Sequence, residues 1–181
     1  MASQLDTLIA SVAVTAGREG RPALVAAATA AAASLKPKDL AKLPGRQHNQ
    51  ISPATADAMD LQSTWHRHWQ EAIAEILVQS KAPGLPPLLE LWDLETDAAQ
   101  DLILVRLLRL AADGIEPAHI LTRVKSRLTT LHHTKVRASV QQVLNWSFTH
   151  PKALELLKSI SKTPLSNGQP LAQQLRQLTS H

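Results

Sequence analysis

Cysteine and tyrosine are absent, and one phenylalanine accompanies four tryptophans in 181 residues. Without cysteine there is no disulfide, no thiolate zinc site and no thiol nucleophile. That absence fits a reducing compartment. With aromatics at 3%, a core has to come from Leu, Ile, Val and Ala, which suits packed helices. Six glycines leave little material for loops that cradle phosphate. No G-x-S-x-G, no glycine-rich phosphate loop and no H-E-x-x-H occurs. Long apolar runs are missing too. The Ala-rich run from Ala23 to Ala33 is too short and too weakly apolar to span a membrane. The first residues, MASQLDTLIASVAVTAG, lack a basic n-region and carry Asp6, so they make a poor signal peptide. The expectation is a soluble intracellular protein with no cofactor, no metal and no enzymatic activity.

What is present is helical. Hydrophobic residues make up 44% of the chain, enough to bury a core. Leu5, Leu8, Ile9 and Val12 share one helical stripe. Pro22 suits the first turn of a helix through Leu35, because its missing N–H would have no partner there. From Ala54 to Ser80 the pattern allows one long helix or two, with Leu61, Trp65, Trp69, Ile73, Ile76 and Leu77 on one side. KAPGLPP breaks it. Leu85 to Leu94 reads as a short helix or turn. Thr96 is an N-cap candidate for a helix from Asp97 to Ala112, and Gly114 its stop. Pro117 opens a helix ending near Leu131. Further helices are expected at 135–146 and from Pro151 to about Ile160. No segment has strand character.

The fold class expected is therefore all-α: a multi-helix bundle or a short right-handed α-solenoid of stacked helical hairpins. Pro22, Pro53, Pro86, Pro117 and Pro151 recur at intervals of 31, 33, 31 and 34 residues. This is a weak HEAT-like periodicity, and helices of ordinary length that happen to begin with proline would also produce it. Residues 36–50 carry two prolines, a glycine and scattered charge and read as a linker. The expected organisation is an N-terminal hairpin at 1–35, that linker, a helical bundle at 51–160 and a C-terminal tail at 161–181.

Chemistry-bearing residues are sparse. His66 and His68 are two apart and point to different sides of a helix. His132 and His133 fall between helices. Neither pair has the spacing of a helical zinc site, so surface or helix-end histidines are expected. Glu71 and Glu75 share a helical face as solvated pairs commonly do. Trp65 and Trp69 are expected at a seam between helices, Trp92 at the end of a bundle.

The stretch from Ile120 to Trp146 is more informative. It holds Arg123, Lys125, Arg127, Lys135 and Arg137 and no acid. Ile120, Val124, Leu128 and Leu131 form one apolar stripe, and Val136, Val140, Val143 and Leu144 form another, so both helices are amphipathic. Arg123 and Arg127 lie one turn apart and can make a positive patch. Phosphate binding would use the same chemistry, but no aromatics interleave with the bases for stacking.

The run Thr122-Arg123-Val124-Lys125-Ser126-Arg127-Leu128-Thr129-Thr130-Leu131-His132-His133 resembles the third-helix pattern of the N-terminal domain of the elongation factor TFIIS. Leu107-Leu108-Arg109-Leu110 is similar to an earlier helix of that family, and Val136 to Trp146 to its last helix. The resemblance spans about residues 85–150. Lys125 stands where the family has glycine, and His132-His133 where it has Arg or Lys. The resemblance implies a small helical bundle, nuclear and not an enzyme, that docks short disordered motifs of other regulators. The expected function is then a protein-interaction module, a transcription-elongation adaptor in its finer form. Its partners would be disordered acidic-apolar segments, held by Arg123, Lys125, Arg127, Lys135 and Arg137, with Trp146 supporting the groove wall. Weak, salt-sensitive nucleic-acid binding is expected beside it. The alternatives are a helical-repeat protein binding nucleic acid through its basic faces, and a helical immunity-type inhibitor or small enzyme.

Overall fold

The structure, a computed structural model, describes residues 2–50 and 63–130. Among them every regular element is helical: α1 (Gln4–Glu19), α2 (Arg21–Ser34), α3 (Pro37–Leu40), α4 (Trp65–Gln79), α5 (Leu85–Leu94), α6 (Asp97–Ala112) and α7 (Pro117–Thr130). One-turn 3₁₀ helices stand at Pro44–Arg46 and Ala82–Gly84. The all-α expectation holds, and α5, α6 and α7 begin where the sequence pattern puts them. The start of the pattern at Ala54 and the helix expected from Pro151 lie outside the described residues, as do the helix at 135–146 and the tail.

The chain divides into two compact units, residues 1–103 and 104–181, with the boundary inside α6. In the first unit α4 is the central element. Eleven of its fifteen residues are buried, and it packs against α1, α2 and α5. A helix buried on nearly every side belongs inside a bundle. Ile73, Ile76 and Leu77 of α4 are fully buried, with Ile9 of α1, Ala28 of α2 and Leu88 of α5.

Local chemistry sets the helix ends. Ser3 and Asp6 form a capping box: Ser3 Oγ accepts from the Asp6 amide at 3.1 Å, and the Asp6 carboxylate accepts from the Ser3 amide at 3.2 Å. Gly20 is at once the C-cap of α1 and the N-cap of α2, at φ +83°, a conformation that L side chains rarely adopt. Gly114, also at φ +83°, terminates α6. The Ile115 amide donates to Leu110 O and the Gly114 amide to Ala111 O, both at 3.0 Å, the paired bonds of a Schellman motif.

Residues 36–50 are the main departure from expectation. They are packed rather than extended: Leu40, Leu43, Pro44 and Gln47 are buried. The division of the chain falls at residue 103, and the N-terminal hairpin packs on α4.

Candidate functional site

α7 lies in the second unit. Ile120 and Val124 are fully buried, while Thr122 and Arg123 between them are exposed. The apolar stripe read from the sequence is thus turned inward as far as Val124, and Arg123 stands on the outward side. Positions 123 and 127 sit one turn apart on the same helix. The side chains of Lys125 and Arg127 lie outside the described ones. Lys135, Arg137 and Trp146, as well as His132 and His133, lie outside the described residues altogether.

Charge separates the two units. Residues 1–103 hold eight Lys/Arg against twelve Asp/Glu, and residues 104–181 hold eleven against three. The formal charges are −4 and +8, which together give the chain's +4. The modest overall charge therefore conceals a strongly basic half.

The first unit contains polar sites that the sequence pattern did not single out. Asp6 is buried and receives the Arg46 guanidinium at 2.8 Å, the Asn49 amide at 3.2 Å and the Ser3 hydroxyl at 2.6 Å. The indole N–H of Trp69 donates to the Arg46 carbonyl at 2.8 Å. Glu75, expected in solvent, is 1% exposed and accepts from Gln79 Nε2 at 2.8 Å. Glu71 instead pairs with Arg67 and His68, each at 3.4 Å. Trp65 and Trp69 are both buried, with ring centroids 6.1 Å apart.

A second polar cluster joins residues 47–50, the start of α4 and the end of α5. His48 and His66 stack with centroids 6.4 Å apart, and His48 Nε2 lies 3.4 Å from the buried Glu95 carboxylate. Gln50 touches the His66 ring. Among the described residues, Gln47 Oε1 and Trp65 Nε1 are buried without a hydrogen-bond partner, and Glu95 Oε1 has the His48 ring as its ion-pair partner but no hydrogen bond. Even so, no three His, Asp or Glu side chains among the described residues converge as metal ligands. His66 is exposed as expected, whereas His68, expected at the surface, is buried; the two stand on different sides of the helix, as their spacing of two requires.

A groove of about 720 Å³ runs along α1, with Leu5, Leu8 and Leu35 on its floor. Its cations are already matched, Lys42 by Asp39 at 3.3 Å and Arg46 by Asp6. No helix among the described residues is long and apolar enough to cross a membrane.

No family model, no curated protein and no solved structure matches this chain.

Proposed function

We propose that this chain is a non-enzymatic protein-interaction module whose second unit docks disordered acidic-apolar segments. One observation carries the reading. α7 buries Ile120 and Val124 completely and leaves Arg123 exposed between them. A helix arranged in this way keeps its apolar stripe for the core and turns Arg123 to the outward side. Such a face steers an acidic segment and gives charge-assisted hydrogen bonds to its carboxylates. The finer form of the proposal is an adaptor of the transcription-elongation kind. It draws on the resemblance of residues 85–150 to the TFIIS N-terminal domain, although 117–130 form one continuous helix where the resemblance has a short helix at 115–121 before the next.

The test uses the intact chain and a short fluorescent peptide rich in Asp and Glu, with leucine and phenylalanine anchors. Arg123→Glu/Arg127→Glu is expected to weaken binding about tenfold or more, the equivalent of about 1.4 kcal/mol. An anchor-free peptide of the same charge is expected to bind more weakly than the anchored one. Unchanged affinity in the double reversal, with an unchanged melting curve, would make this face an ordinary solvated surface and end the proposal.

A further inference from the structure

The second unit carries more positive charge than a peptide-docking helix requires, and it is spread along the sequence. From Pro117 to the C-terminus there are nine Lys/Arg, from Arg123 to Arg176, and one acid, Glu155. The first unit, at −4, would be repelled by a polyanion. A short acidic peptide can meet only a few of these nine cations. Duplex nucleic acid presents a phosphate charge about every 1.7 Å along its axis, so it can meet cations spread over a whole unit. A charge contrast of this size between halves is the electrostatic footprint of such a partner.

We propose that the second unit also binds the phosphate backbone of duplex nucleic acid, without reading its sequence. This rests on the charge of the whole unit and stands independently of the peptide reading. A duplex is favoured over a single strand because residues 104–181 contain two aromatic side chains, Trp146 and Phe148. Single-strand binding without sequence preference relies on successive bases stacking on aromatics. A duplex keeps its bases stacked on one another and asks for cations alone. Exposed Arg123 on α7 is the described member of the contact set.

The experiment is fluorescence anisotropy of the intact chain with a mixed-sequence DNA duplex, an RNA duplex and the corresponding single strand. Both duplexes are expected to bind, and a scrambled duplex to bind equally well. If about five phosphates are neutralised, affinity falls about 500-fold between about 50 and about 200 mM salt. Reversal of Arg123, Arg127, Lys135 and Arg137 to Glu is expected to abolish binding, and the same four changed to Gln to reduce both affinity and salt slope. Lys36→Glu/Lys38→Glu, two exposed cations of the first unit, is expected to leave binding unchanged. No duplex binding at the lowest salt, a flat salt dependence, a preference for the single strand, or an equal loss in the Lys36/Lys38 variant would each overturn the inference. The acidic peptide is titrated in parallel. Duplex binding without peptide binding keeps this inference and overturns the peptide reading; peptide binding alone does the reverse.

Discussion

Arg46 Nη1 donates to Asp6 Oδ2 at 2.8 Å across forty positions of sequence, and this pair fastens the 36–50 segment to the start of α1. Breaking a fully buried pair by deleting one partner typically costs about 3–5 kcal/mol. Here the Arg46 side chain is 31% exposed and Asp6 keeps the Ser3 and Asn49 donors. Arg46→Ala is therefore expected to destabilise the protein by about 2–3 kcal/mol, read as a lower urea midpoint. A change below about 0.5 kcal/mol, the range of an ordinary surface substitution, would show that the pair holds nothing together.

The two tryptophans of α4, their ring planes inclined at 56°, separate hydrogen bonding from packing. Both are buried; among the described residues the Trp69 N–H has a partner, the Arg46 carbonyl, while the Trp65 N–H has none. Each Trp→Phe change removes similar volume. Trp69→Phe also removes one of the two donors to the Arg46 carbonyl, which keeps the Asn49 amide at 3.0 Å, and loses a net contribution of about 1 kcal/mol. Trp69→Phe is thus expected to be the more damaging by about that amount in paired denaturation curves. Equal losses would mean that the indole bond contributes nothing.

Glycine at two positions predicts opposite outcomes. A Cβ on Gly84 would stand 1.8 Å from the Leu77 carbonyl oxygen and 2.8 Å from its carbon. Both are backbone atoms at the end of α4 and cannot swing aside. Gly84→Ala is expected to cost about 3 kcal/mol or more, at or beyond the usual range for overpacking. Gly45 has nothing within 4 Å of the same atom. Gly45→Ala is expected to be neutral or to stabilise by about 0.5 kcal/mol through the unfolded chain. Thermal melts of the two variants, run together, check both; a mild Gly84→Ala would contradict the close approach.

On α7 the two faces are expected to answer differently to substitution. Val124 is fully buried, so Val124→Ala should cost about 2 kcal/mol, the transfer of its methyl groups plus the cavity left behind. Arg123→Glu on the exposed side should move stability within about 0.5 kcal/mol. Melting curves of the pair test the orientation of the helix directly, and a reversed order of effects would mean that α7 is rotated from its described position.

Most of the helix pattern was legible because proline and glycine punctuate it. Pro117 opens α7, Gly114 closes α6 through two specific backbone bonds, and the apolar spacing of α4 marks its buried side. The 36–50 segment was not legible. Its α-helix is four residues long, too short to show a period, and its anchor at Asp6 is remote in sequence. Glu75 was misread for a related reason. Spacing along a helix shows which residues share a face, but not that α1 and α2 both lie against α4 and leave almost no face to solvent. The basic face was legible at Arg123, since the stripe of Ile120 and Val124 fixes the opposite side. The charge division could have been counted from the sequence, yet it has meaning only once the unit boundary at residue 103 is known.

Gly20 serves two helices at once. With no spare residue between α1 and α2, the rotational phase of α2 is locked to that of α1 through a single backbone conformation. Each residue of an α-helix advances about 100° around its axis. One inserted residue at this junction would turn Leu24, Ala28 and Ala31, the buried residues of α2, away from their present contacts as a set. The junction is therefore a place where the chain can exchange side chains more readily than it can change its length, and a natural variant with an insertion or deletion here would need a second, compensating length change to fold.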